Sequence, residues 1–162
     1  MRRLTAAIAI GVVSALATAH GMNPPPSTPP GDLGAVQGNW KPLQVEFEGK
    51  PQMSAEEMKK ITTVFDQTEY HLYFADKDVN PPKVLKLAVM NVTLDATTNP
   101  KTSVFENASG PLKGQKRHGI YELAGNQLKL CYGPSEKPKP TTFAAPKESG
   151  YFFEVWARQP MK

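Results

Sequence analysis

The sequence predicts an all-β protein: an antiparallel up-and-down barrel of about eight strands with one short helix between the first and second strands. Three observations carry that prediction. Apolar residues alternate with period two in runs at 40–48, 61–65, 70–75, 84–94, 101–106, 118–123, 127–132 and 151–158, the pattern of strands with one face buried. The connections alternate in length, short at 66–69, 95–100 and 124–126, long at 49–60, 76–83, 107–117 and 133–149. Finally, Gly38-Asn39-Trp40 opens the first run and Arg158 stands at the end of the last. A guanidinium laid on the indole face would plug one end of a barrel.

Taken in order, residues 1–19 read as a secretory signal peptide. Arg2 and Arg3 precede an apolar run, and Ala17-Thr18-Ala19 offers a small-x-small cleavage site. The run is too short for a membrane span, and no other stretch of the sequence could cross a bilayer. Residues 20–32 are rich in Pro, Ser, Thr and Gly and read as a linker, with Pro24-Pro25-Pro26 and Pro29-Pro30 favouring extended chain. The barrel domain is then 33–162. In its first strand Leu43, Val45 and Phe47 share a face. Ser54-Ala55-Glu56-Glu57 forms a capping box that starts a helix over 55–60, Met53 and Met58 are placed to staple it, and Glu56 is spaced to pair with Lys60.

In an up-and-down barrel successive connections fall at opposite ends. The long ones therefore share one end with the helix, and the short ones share the other end with Trp40. The expected shape is a closed floor, with Gly38, Trp40 and Arg158 as structural closure, beneath a mouth decorated by loops that would carry any binding residues.

The runs Val36-Gln37-Gly38-Asn39-Trp40-Lys41, Glu48-Gly49-Lys50-Pro51 and Leu94-Asp95-Ala96-Thr97-Thr98-Asn99-Pro100-Lys101 resemble the uncharacterised lipocalin-like domain family expanded in Planctomycetes. So do Glu57-Met58-Lys59-Lys60, Gly119-Ile120-Tyr121-Glu122-Leu123-Ala124-Gly125-Asn126-Gln127-Leu128-Lys129-Leu130-Cys131, and Pro140-Thr141-Thr142-Phe143. The resemblance implies a lipocalin-like barrel in a bacterial-type exported protein, periplasmic or extracellular, and no particular activity. Where that pattern has Arg before the Pro-Thr pair this chain has Lys139, which removes any planar bidentate contact made there.

Composition narrows the function. The formal charge is +4, from 19 Lys and Arg against 15 Asp and Glu, and Arg2 and Arg3 leave with the signal. So small a surplus gives no warrant for nucleic-acid binding. Cys131 is the single cysteine, so the fold rests on its packed core without internal disulfides, and it reads as a packed small residue. His20 could chelate Cu(II) with a free amine, yet it has no second ligand nearby, and His71 and His118 fall on separate strands, so no metal or cofactor is expected. Glu56, Glu57, Asp66, Glu69, Glu122 and Glu154 form no paired catalytic constellation in the sequence. Asn91-Val92-Thr93 and Asn107-Ala108-Ser109 match the glycosylation sequon and are expected to be silent in a bacterial-type protein.

The long loops are rich in lysine, and Lys83, Lys113, Arg117 and Lys139 are the candidate ligand-binding residues of a basic rim. The leading expectation is a monomeric, secreted, non-enzymatic binding protein whose barrel mouth holds a small apolar or anionic amphipathic molecule. The alternative is an envelope-associated or inhibitor-like interaction module acting on a protein partner through the long loops, with an enzyme third. The choice turns on whether Phe47, Leu72, Phe74, Leu87, Leu128, Leu130 and Phe152 fill the interior.

Overall fold

A computed structural model describes residues 29–160. The signal segment, His20 and most of the proline-rich linker lie outside the described residues. The elements in order are α1 (Gly31–Ala35), β1 (Gly38–Phe47), β2 (Lys50–Pro51), α2 (Ala55–Lys60), β3 (Ile61–Asp66), β4 (Glu69–Asp76), β5 (Lys83–Asp95), β6 (Thr102–Asn107), β7 (Lys116–Ala124), β8 (Gln127–Pro134) and β9 (Phe152–Arg158). All neighbours are antiparallel, and β1 pairs with β9 from Trp40 opposite Arg158 to Phe47 opposite Phe152. That pairing closes β1 and β3 through β9 into an eight-stranded barrel, leaving β2 as a short edge piece on β1. The all-β up-and-down barrel and the helix between its first two barrel strands are as the alternation predicts.

The floor is built from contacts that the short turns bring together. Gly38 holds a φ of 107°, a left-handed conformation open to glycine, and so turns the chain into β1. Trp40 is fully buried and its Nε1 donates to the Val36 carbonyl at 2.8 Å. The Arg158 guanidinium lies 4.3 Å from the centre of the Trp40 ring and donates to the Gln37 carbonyl at 2.5 Å and to the Ala35 carbonyl. These are the residues assigned to closure from the sequence. Trp156, Tyr121, Leu128 and Leu130 pack the lower interior above them.

Helix α1 was not expected, and the fold begins at Gly31 rather than Leu33. Asp32, placed by composition in the linker, accepts from Lys101 Nζ at 2.6 Å and from Tyr121 Oη at 2.8 Å. These hydrogen bonds, Lys101 first, hold its carboxyl below the ordinary aspartate range. Five residues are too few for a free-standing helix. Tertiary anchoring through Asp32, Val36 and the Arg158 contacts holds it in place.

Three details depart from the alternation. A register shift between Pro42 and Gln44 leaves Leu43 as a bulge residue, 54% exposed, so the inward face of β1 runs Trp40, Pro42, Val45, Phe47. A second shift opposite Leu72 and Tyr73 leaves Leu87 unpaired and exposed, which removes it from the expected interior. Ser54 and Glu57 form the capping box, but Glu56 pairs with Lys59 at 2.6 Å. Lys60, at the end of a one-turn helix, instead reaches Asp76 at 3.0 Å and Asp78 at 3.1 Å on the adjoining β4 end.

The β8–β9 connection does not stay at the mouth. It folds down the outer wall, where Ala145 and Pro140 are buried and the Cys131 thiol donates to the Ala144 carbonyl at 3.2 Å. Ile120, Cys131 and Val155, on the outward faces of their strands, form a second small apolar layer beneath it. Burial pushes the Cys131 thiol up to about 11, so it is a packed, unreactive residue.

Candidate functional site

Below the middle of the barrel the interior is filled; above it is open. At the lower level a void bounded by Tyr70, Phe105 and Leu130 holds only about 10 Å³, at the limit for a single water. Above it a cavity of about 600 Å³ opens at the mouth, within the range of small-molecule sites. Its walls are largely apolar, with Val45, Leu72, Met90, Phe152 and Trp156 among them, and Arg117 and Glu154 face into it.

Glu154 reaches this wall because β9 alternates Phe152, Glu154, Trp156 toward the interior. It is only 6% exposed. Its Oε1 accepts from Tyr132 Oη at 2.6 Å and its Oε2 from Trp156 Nε1 at 2.9 Å. Burial raises its pKa above the ordinary glutamate value, opposed by those two hydrogen bonds and by the charge of Arg117. Gly119 lets the Cys131–Tyr132 backbone of the neighbouring strand approach closely. A Cβ there would sit 2.4 Å from the Cys131 carbonyl oxygen and 2.6 Å from Tyr132 Cβ.

Arg117 sits one inward position nearer the mouth on β7. Its guanidinium lies 5.7 Å from the centre of the Tyr132 ring and 5.6 Å from that of Phe152. Tyr132 therefore carries Arg117 against its ring and Glu154 on its hydroxyl. Among the described residues the Arg117 side chain has no hydrogen-bond acceptor and no ion pair, so the donors of the guanidinium are available to a ligand. A second cavity of about 260 Å³ adjoins the first and shares Asn107, Arg117 and Phe152 with it. Gln115, Lys116 and Glu136 stand among the residues that line that smaller chamber. Arg117 thus stands at the junction of two adjoining chambers, both largely apolar in their lining.

Of the four candidate ligand residues, the structure brings only Arg117 to the cavity. Lys83 pairs in register with Asp76 on the exposed rim of the β4–β5 hairpin, and Lys113 is exposed on the β6–β7 loop. Lys139 follows the descending β8–β9 loop to the outer wall near Asp95, at the floor end of β5, whose pKa is lowered first by hydrogen bonds from Thr97 and last by the charge of Lys139. The β8–β9 loop packs on the Ile120 and Cys131 side of the sheet, and this takes Lys139 away from the mouth. Glu154 and Tyr132 were passed over as site residues. The signal for Glu154 was present: an acid at an inward position between Phe152 and Trp156.

The site can bind, orient and exclude water. Among the described residues no group of three or more His, Cys, Asp and Glu converges to hold a metal ion. Among the same residues no helix is long and apolar enough to cross a membrane. Comparisons of the chain with protein-family models, curated proteins and solved structures returned no match.

Proposed function

We propose that this is an exported, non-enzymatic binding protein, periplasmic or extracellular and related to the lipocalin-like family its motifs resemble, that holds a small anionic amphipathic molecule in the mouth half of the barrel. The observation that carries the reading is Arg117, an arginine with no ion pair among the described residues, at the junction of two largely apolar chambers. An apolar tail fits the larger chamber, where burial of each methylene contributes about 0.8 kcal/mol. The anionic head lies on the Arg117 guanidinium, whose planar donors suit a carboxylate or phosphate.

Native mass spectrometry of protein purified through its own export route tests this directly, followed by titration with a fluorescent fatty acid. The expected results are a copurified species of defined mass, or uptake of the probe at one site per chain. Arg117→Met should weaken probe binding by about tenfold or more, the loss expected for one charge-assisted hydrogen bond. A ligand-free protein that takes up no anionic amphiphile would falsify the reading and return the long loops to consideration as a protein-binding surface.

A further inference from the structure

The cavity wall is also incomplete at one side. β6 pairs with β5 only from Met90 onward, so residues 83–88 of β5 are bonded to β4 alone and their other edge is open. The β6–β7 loop meets β5 just beyond that stretch, where Ala108 N donates to Val89 O at 2.9 Å. The cavity wall includes Leu87 and Ala88 on one side of this gap and Pro111 and Leu112 on the other. The gap is a lateral portal between the β4–β5 hairpin and the β6–β7 loop.

Apolar side chains crowd the same place. The large hydrophobics exposed among the described residues are Leu43, Val79, Val84, Leu85, Leu87 and Leu112. All but Leu43, the β1 bulge residue, lie on the two segments that flank the portal. Lys83, Lys86 and Lys113 are exposed on the same two segments. The local acids are already engaged, since Lys60 holds both Asp76 and Asp78. The surface left over is a ring of positive charge around apolar tips, the chemistry that seats a protein on an anionic bilayer, with lysines on headgroups and apolar side chains at the acyl boundary. The lysines also argue against pairing of the open β5 edge with a second copy, because charge on an edge strand blocks strand addition.

We propose that the β4–β5 hairpin and the β6–β7 loop form a docking surface for an anionic lipid bilayer, with the portal facing the membrane. The inference goes beyond the amphiphile reading and rests on it only for purpose: a portal pressed to a bilayer lets an amphipathic molecule pass between lipid and cavity without crossing water.

Vesicle co-sedimentation tests it with the full mature protein and no added ligand. Wild type should sediment with phosphatidylglycerol vesicles, remain in solution with phosphatidylcholine vesicles, and lose binding as salt rises. Val84→Asp with Leu85→Asp, at exposed positions outside the cavity wall, should weaken sedimentation by about tenfold or more while circular dichroism and fatty-acid uptake stay unchanged. Lys83→Glu with Lys86→Glu should do the same through charge alone. Wild type that ignores anionic vesicles, variants that sediment as well as wild type, or a concentration-dependent dimer in place of vesicle binding would each overturn the proposal. Loss of fatty-acid uptake in Arg117→Met with vesicle binding intact separates the cavity from the docking surface, so either reading can fail alone.

Discussion

Two arginines lie over aromatic rings at opposite ends of this barrel, and they differ in what their donors find. Arg158 at the floor sits 4.3 Å from the Trp40 ring centre and spends its N–H groups on the carbonyls of Ala35 and Gln37. Arg117 near the mouth lies farther from its rings, at 5.7 Å and 5.6 Å, and has no protein acceptor among the described residues. The same side chain therefore closes one end and leaves the other chemically open. What separates a structural arginine from a binding one here is hydrogen-bond satisfaction, and the surroundings follow suit: short turns and packed indoles below, long loops and a cavity above.

The largest effect that sharpens this contrast belongs to the floor. Trp40→Ala should cost about 3–5 kcal/mol, a fall in Tm on the order of 10 °C or more, because it opens a cavity and strips the Val36 carbonyl of its donor. Arg158→Ala should cost about 1–3 kcal/mol through the lost ring contact and freed carbonyls, with Arg158→Lys recovering only part, since an ammonium lacks the fork. Arg117→Met should change stability by no more than about 0.5 kcal/mol while affinity for the anionic probe falls. Thermal melts of the three variants in parallel check the ranking. If Arg117→Met melts as low as Arg158→Ala, both arginines are structural and the contrast fails.

The strand order and the floor were legible in the sequence because period-two alternation and a Gly-x-Trp entry are local signals. The features that were not legible are those set by tertiary contact. Helix α1 reads as linker because Gly31 and the prolines before it carry no helical periodicity, and only Asp32 meeting Lys101 and Tyr121 gives it a place. Alternation reads straight through Leu43 and Leu87, since a bulge changes parity without changing composition. The descent of the β8–β9 loop was hinted at by Ile120, Cys131 and Val155, apolar residues on the outward phase of strands that already had an apolar inner face. Glu154 was visible as an inward acid, but its meaning depended on an open cavity, and cavity volume is a sum over every strand rather than a property of one.

Floor and mouth should also part company in their response to pH, and this is the smallest effect. Hydrogen bonds from Lys101 and Tyr121 hold the Asp32 carboxyl below its ordinary range. Its contribution to stability is present above the unfolded aspartate value and is lost as pH falls through the lowered one. Glu154 works in the opposite sense. Burial raises its pKa, so the folded protein keeps a proton that the unfolded chain releases. Stability from this group is present below the ordinary glutamate value and declines as pH rises from there to the raised one, above which the buried charge costs its full amount. Glu154→Gln keeps an acceptor for Trp156 and sets an amide N–H against the Tyr132 hydroxyl oxygen in place of the carboxyl oxygen that accepted from it, while removing the titration, so it should flatten the fall in Tm between acid and neutral pH. Asp32→Asn should leave that fall in place and flatten only the strongly acid limb. Melting curves across pH decide it: a Glu154→Gln slope identical to wild type would mean the mouth carboxylate is solvated in solution, and the upper half of the barrel would then be wetter and more open than its apolar walls imply.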